Sequence, residues 1–351
     1  MRTATTVEVS RDAAETTTFV LEAERLGLDI CWVAEAWGSD APSYLGYLAA
    51  RTNRILLGSG IIQIGTRTPV SIAQAALTVA ELSEGRFLLG LGPSGPQVME
   101  GLHGVEFRRP MTRMRETVDV IREAFSGARI SYAGETVRIP RTEDSKPMRL
   151  SIPGRDDIPI YLASMSPKML ELTGQIADGW LGTSFVPEGS AAYFDHLDAG
   201  LRTAGRTRAD IDVCQGAEIA IFDDADRLAE HVNGRKKELA FSIGGMGNAD
   251  TNFYNAAYAR QGWSEVTGEI QSRWQGGDRE GAVKLVSDEM VLATTLIGTR
   301  PMVAERLRDW AATGVTTVRL YPAGDTLDER LSNLAEGIEL AGATDNAAPA
   351  W

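Results

Sequence analysis

Residues able to do chemistry in this chain cluster where apolar runs end. Glu35, with Trp37 and Gly38, comes directly after the run Asp29–Ala34. An acid at the exit of a buried strand can hydrogen-bond a ligand or move a proton; the plainer reading is a solvated loop carboxylate beside a surface tryptophan. Gly58-Ser59-Gly60-Ile61-Ile62 puts glycines inside a run otherwise suited to burial, the pattern of a bulge or of a ligand brought close to the backbone. Arg67 follows shortly and could hold an anion or cap the next helix. His103, in Gly101-Leu102-His103-Gly104, is a loop histidine that could serve as acid or base, or be purely structural.

Two further segments suit an anionic ligand. Gly90-Leu91-Gly92-Pro93-Ser94-Gly95 reads GxGxxG after a strand. A dinucleotide fingerprint needs a helix opening at that loop, in the first βα unit. Here Pro93 and Pro96 disturb the turn and the strand is the third or fourth. Gly92, Ser94 and Gly95 therefore read as backbone that a ligand can approach closely. Ala163-Ser164-Met165-Ser166-Pro167 joins a strand to a helix N-terminus, whose unpaired amides and partial positive charge favour a phosphate. A plain serine cap is the alternative. No GxSxG, HExxH or P-loop pattern occurs, and His103, His196 and His231 lack metal-ligand spacing, so no metal site is expected.

Composition narrows the class of protein that uses these groups. The chain has 351 residues, 43% hydrophobic and 24% charged, ordinary values for a globular protein. Its net charge of −13 argues against nucleic acid and anionic membranes as partners. Cys31 and Cys214 each sit in an apolar run and read as reduced core thiols. No apolar run is long enough to span a bilayer, and residues 1–20 lack a signal-peptide core. A cytoplasmic location is the expectation.

The elements that must position these groups alternate. Asp12 caps a helix running to Leu26, with Gly27 as its stop; residues 29–34, 54–64, 86–92, 158–163, 179–182, 211–221 and 316–321 read as strands. Thr68-Pro69 and Ser166-Pro167 pair a cap with a first-turn proline. Helices are expected over 41–50, from Thr68 to Gly85, over 111–125, to Ala177, over 189–204, and from Thr299 to Gly314, with a hairpin at 129–140. A possible first strand at Thr5–Val9 brings the count to eight, which favours an α/β (β/α)8 TIM barrel over an open doubly wound sheet. One domain is expected over residues 1–340, with a helical insertion at about 226–296 before the last strand and a disordered tail at 341–351. The insertion's Phe253, Tyr254, Tyr258, Trp263 and Trp274 would pack the insertion or a homodimer interface, or wall a pocket.

Three runs taken together carry a resemblance: WVAEAWGSDAPSYLGYLAARTNRILLGSGI, RFLLGLGPSGPQVMEGLHG and IPIYLASMSPKMLELTGQIADGW. With GGMGNADTNFYN and LIGTRPMVAERLRDWAATGVTTVRLYP, they resemble the luciferase-like (LLM) oxidoreductases. More narrowly they resemble the branch using the deazaflavin coenzyme F420, which includes methylenetetrahydromethanopterin reductase-like proteins. The resemblance implies a cofactor at the C-terminal mouth of the barrel and a non-prolyl cis peptide, at Gly60–Ile61, backing its ring. It implies the Ala163–Ser166 turn (Ala163, Ser164, Met165, Ser166) and the Gly92–Gly95 loop for phosphate and side chain. Glu35 and Trp37 would then lie near ring or substrate, with Glu35 or His103 supplying the proton. The start, MRTATTVEVS, departs from the apolar, glycine-containing first strand of relatives. The function implied is hydride transfer between deazaflavin and a small C=C, C=N, C=O or alcohol substrate. Alternatives are an FMN-dependent reductase or monooxygenase, a non-catalytic cofactor-binding protein, or an NAD dehydrogenase using GLGPSG.

Overall fold

Short runs of β-branched and aromatic residues become strands, and the capped segments between them become helices. In the computed structural model, which describes residues 1–9, 12–247 and 252–344, the strands are β1 (Arg2–Val7), β2 (Ile30–Val33), β3 (Leu56–Ser59), β4 (Phe87–Gly92), β5 (Ile160–Ala163), β6 (Gly179–Leu181), β7 (Asp212–Ile221) and β8 (Thr317–Pro322). Each pairs in parallel with the next, and β8 pairs with β1, so the sheet closes. Helices α1 (Ala13–Leu26), α2 (Ala41–Ala49), α3 (Pro69–Leu82), α4 (Pro110–Phe125), α5 (Pro167–Ile176), α6 (Ala191–Thr203), α7 (Arg300–Thr313) and α8 (Leu327–Gly342) complete the units. This is the (β/α)8 barrel that the alternation predicts.

Local signals act as read. The Asp12 carboxylate accepts from the amides of Ala14 and Glu15, both at 2.9 Å, and Gly27 closes α1 at φ +99°. Thr68 caps α3 with Pro69 in its first turn. That helix stops at Leu82 rather than at Gly85, because Ser83 and left-handed Glu84 turn the chain first.

The polar N-terminus does form the first strand, three residues earlier than Thr5. Thr5 Oγ1 donates to Leu320 O at 2.7 Å, and Thr3 donates from both its amide and its hydroxyl to Asp29. Threonine is β-branched and suits a strand. With those partners its hydroxyl is buried at little cost.

Two cores result. Ala4, Ile30, Trp32, Leu88, Tyr161, Leu181 and Cys214 fill the barrel interior, with Trp32 and Tyr161 edge to face at 5.0 Å. A larger cluster lies between sheet and helices, among it Leu45, Leu57, Ile72, Leu89 and Leu162. Cys31 and Cys214 are buried, and burial pushes both thiols up to about 12.

Between β7 and α7 lie helices Ala225–Gly245, Phe253–Tyr258, Ser264–Gln275, Arg279–Lys284 and Asp288–Ala293. Two elements differ from expectation. Leu296–Gly298 forms an additional strand on the upper end of β7, outside the ring. A short helix, Pro96–Gly101, opens after the glycine loop. The run read as one strand over 54–64 is split where the resemblance implies a non-prolyl cis peptide: β3 ends at Ser59, the Gly60–Ile61 bond is cis, and Ile62–Gln63 then pairs with β4. The expected hairpin is present as Tyr132–Ala133 with Arg138–Ile139. Of the tail expected to be disordered, α8 takes in residues up to Gly342; residues 345–351, like 248–251 of GGMGNADTNFYN, lie outside the described residues. Among the described residues no helix is long and apolar enough to cross a membrane. Nor do they contain a group of three or more His, Cys, Asp and Glu side chains that could hold a metal ion.

Candidate active site

The C-terminal ends of the strands form the mouth of the barrel, where sites in this fold are built. Backbone strain gathers there. Of five non-glycine residues with positive φ among the described residues, Ala36 (+39°), Ser94 (+63°) and Ser184 (+55°) lie just past β2, β4 and β6. Each costs roughly 1–2 kcal/mol, and such strain clusters at sites where loop position matters.

The break after β3 organises one side of the mouth. Ser59 bridges it: its hydroxyl donates to Gly90 O and accepts from Gly90 N, both at 2.9 Å. Gly58 must be glycine because a Cβ there would lie 2.2 Å from the Trp32 ring. Ile61 packs over Gly92, whose Cβ would fall 2.7 Å from Ile61 Cδ1 and 3.6 Å from Ala163 Cβ. So Gly60, Ile61, Gly92 and Ala163 come together as one surface, and Gly60, Ile61 and Ala163 are part-exposed.

Gln63 ties this surface to its neighbours. It is 2% exposed, and its Nε2 donates to Ala36 O at 2.8 Å and to Ser94 Oγ at 3.3 Å. One side chain therefore fixes the spacing of the loops after β2, β3 and β4. Its Oε1 has no partner among the described residues, and neither does Glu35 Oε2 or Thr6 Oγ1. Buried polar atoms are normally satisfied, so these three could take hydrogen bonds from a polar ligand edge.

Glu35 is held by Arg67 at 2.6 Å, and Arg67 also pairs with Asp40. Burial pulls the Arg67 guanidinium down, but the Glu35 hydrogen bond and charge, then Asp40, hold it above its ordinary value. Arg67 is thus committed to carboxylates, and its expected alternative as an anion holder is already taken. Trp37 is 63% exposed on the same loop.

The remaining expected residues divide. Gly95 has open space around its Cα and caps the helix Pro96–Gly101. Ser166 caps α5 without a side-chain bond, leaving its hydroxyl available. Ser164 is 5% exposed and turned inward, its hydroxyl 2.9 Å from Thr173 Oγ1 and its carbonyl taking the Trp180 indole N–H. Its hydroxyl stiffens the turn, whereas Met165 O accepts from Arg260 at 2.8 Å. His103 is exposed, and the described residues give its side chain no hydrogen bond or ion pair with Glu35 or the loops around it.

The opposite wall contains Arg319 and Glu218, which the sequence did not single out, together with Tyr254 and Tyr258, named from the sequence as a possible pocket wall. Arg319, inward on β8, is 7% exposed and donates to Gly182 O at 2.8 Å. Burial lowers its guanidinium, but Tyr321, Cys214 and Tyr254 beside it outweigh that and hold it above its ordinary value. Glu218 on β7 receives His231 Nε2 at 2.7 Å and Arg235 Nε at 2.7 Å. Tyr254 and Tyr258 from the insertion line a cavity of about 170 Å³ with Gly216, Glu218 and Tyr321, and burial raises both phenols. Trp274 packs on Phe241 instead, and Trp263 lines a separate groove of about 820 Å³ with Met302 and Arg306. The signal for Arg319 was a lone charge at an inward position of the apolar run TTVRLYP.

The model of the luciferase-like monooxygenase family matches residues 1–317. A Mycobacterium tuberculosis protein named as a coenzyme F420-dependent oxidoreductase is 38% identical over 85% of this chain and 87% of its own. The 5,10-methylenetetrahydromethanopterin reductase of Archaeoglobus fulgidus is 30% identical over 86% and 87%. The solved coenzyme F420-dependent tetrahydromethanopterin reductase of Methanopyrus kandleri superposes with a TM-score of 0.79 at 24% identity, covering 97% of this chain and 99% of that one.

Proposed function

The chain belongs to the luciferase-like monooxygenase family, and within it we propose that it is a coenzyme F420-dependent oxidoreductase. The observation that carries this reading is the 38% identity, over 85% of the chain, to a protein named for that activity. In this reading hydride passes between the cofactor and a small organic substrate bearing a C=C, C=N, C=O or alcohol group. The protein works in the cytoplasm, as a homodimer.

The mouth fits a flat heterocycle with polar edges. Gly60, Ile61, Gly92 and Ala163 form a surface free of bulky polar groups, and at the ends of β1, β2 and β3 Thr6 Oγ1, Glu35 Oε2 and Gln63 Oε1 have no partner among the described residues. The Gly95 loop and the amides opening α5 behind Ser166 would take phosphate. A bound deazaflavin supplies a ring carbon that accepts or gives hydride, and the protein supplies orientation and electrostatics. Gln63 keeps the loops after β2, β3 and β4 in register. Trp37 shields the open side. Glu35 presents Oε2 for proton transfer, with Arg67 fixing the other oxygen, and His103 is the second candidate for moving a proton.

Fluorescence titration of the purified protein with oxidised F420 and with FMN, side by side, tests the reading. Micromolar or tighter binding of F420 alone is expected. Binding of FMN alone would move the protein to the oxygen-using flavin enzymes and overturn it.

A further inference from the structure

We propose that Arg319 is the anion-binding group of the barrel mouth and that the substrate presents a carboxylate to it. The proposal rests on the deazaflavin reading only for where the ring lies.

Arg319 is a buried cation without an anion. It is 7% exposed, its Nη2 bonds a neutral carbonyl, Gly182 O, the neutral Tyr321 hydroxyl is its other polar neighbour, and among the described residues its Nε meets no carboxylate. Among the described residues the groups acting on it are Tyr321, Cys214 and Tyr254, none a carboxylate. Of the other arginines beside the mouth, Arg260 is exposed and bonds Met165 O, and two are paired with carboxylates. Arg67 pairs with Glu35 and Asp40, and Arg235 with Glu218 and Glu238. A desolvated, uncompensated guanidinium is costly, and a carboxylate matches its planar fork best.

Space for that partner is kept open by Gly216. A Cβ there would lie 2.5 Å from the Tyr321 hydroxyl and 2.9 Å from Arg319 Nε, so both groups converge over this glycine. Gly216, Tyr321 and Tyr254 line the cavity of about 170 Å³. Glu218 lines it too, but its two oxygens are taken by His231 and Arg235.

Position assigns the anion to the substrate. In an eight-strand ring β7 stands opposite β3. A ring backed by Gly60–Ile61 would present its other face to the side of the mouth where Gly216 and Arg319 stand, the side on which a substrate would bind.

Calorimetric titration of the cofactor-free protein with benzoate and with its neutral isostere benzamide tests this. Benzoate is expected to bind at least tenfold tighter. Arg319→Met is expected to abolish the preference and Arg319→Lys to keep part of it, with F420 affinity changed less than threefold in both. Equal binding of the two probes by the wild-type protein, or a preference that survives in Arg319→Met, overturns the proposal. A tenfold loss of F420 affinity in Arg319→Met, with no benzoate preference in the wild-type protein, would assign the guanidinium to the cofactor and also overturn it. Gly216→Ala, which keeps the charge but fills its space, is expected to lose the preference as well; it decides the matter if Arg319→Met does not fold. Because the benzoate titrations contain no F420, failure of F420 to bind would sink the functional reading and leave them standing.

Discussion

Glu35 and His103 entered as equal candidates for moving a proton, and their surroundings now differ. Glu35 is fixed by Arg67 at 2.6 Å with one oxygen left over, while His103 is exposed on its loop. A positioned acid contributes roughly 10²–10⁴-fold to a rate. Glu35→Gln is therefore expected to lower kcat by at least about a hundredfold, and His103→Ala by less than about threefold, in steady-state assays with reduced F420. The reverse pattern would pass the role to His103. Gln63 makes a separate prediction. Gln63→Leu strips Ala36 O and Ser94 Oγ of their donor, and each lost buried bond is worth about 1 kcal/mol. F420 affinity is expected to fall about tenfold with little change in kcat at saturation. Unchanged affinity would show that the three loops hold their spacing without it.

Among the elements, the turn of the hairpin after α4 is anchored on the Glu116 carboxylate, while Tyr132 in its first strand donates to Asp119. Glu116 is 5% exposed and accepts from the amides of Glu135, Thr136 and Val137 and from the Thr136 hydroxyl, at 2.5–2.8 Å. Burial raises its pKa, but these bonds outweigh burial and bring it below its ordinary value of 4.5. The sign follows. A depressed carboxylate stabilises the fold fully above its unfolded value and loses that contribution as pH falls through the folded one. Glu116→Gln is expected to cost about 2 kcal/mol at neutral pH, with the difference shrinking below about pH 4, read by urea melts across pH. A gap independent of pH would rule out the charge as its cause. The hairpin itself was legible from its glycines and prolines. Its anchor was not, because Glu116 looks like any helical glutamate until the chain folds back over it.

At the scale of the whole molecule, the barrel is fastened at the end away from the mouth. Asp212 is fully buried and accepts from Tyr161 (2.8 Å), Thr316 (2.5 Å) and Thr317 (2.7 and 2.9 Å), with Arg2 at 3.9 Å. These residues come from β1, β5, β7 and the start of β8, so one side chain ties the ring across its interior. Asp212→Asn is expected to lower unfolding free energy by on the order of 3 kcal/mol and to leave F420 affinity within about twofold, since the site lies at the other end. A large loss of affinity at unchanged stability would contradict that separation.

Sequence alone determined the alternation of strand and helix, the caps at Asp12, Thr68 and Ser166, and the strand exits where Glu35, Ser94 and Ser166 stand. Those features arise from local periodicity and from hydrogen bonds between near neighbours, which the chain encodes within a few residues. Tertiary structure alone decided which exits face one another. Ser164 points inward to Thr173, Gln63 bridges three loops, and Arg67 is spent on Glu35 and Asp40. It also decided that Arg319 lies over Gly216, about a hundred residues away in the chain but its direct partner across β7 and β8. Such pairings depend on register around a closed ring, which no window of sequence contains.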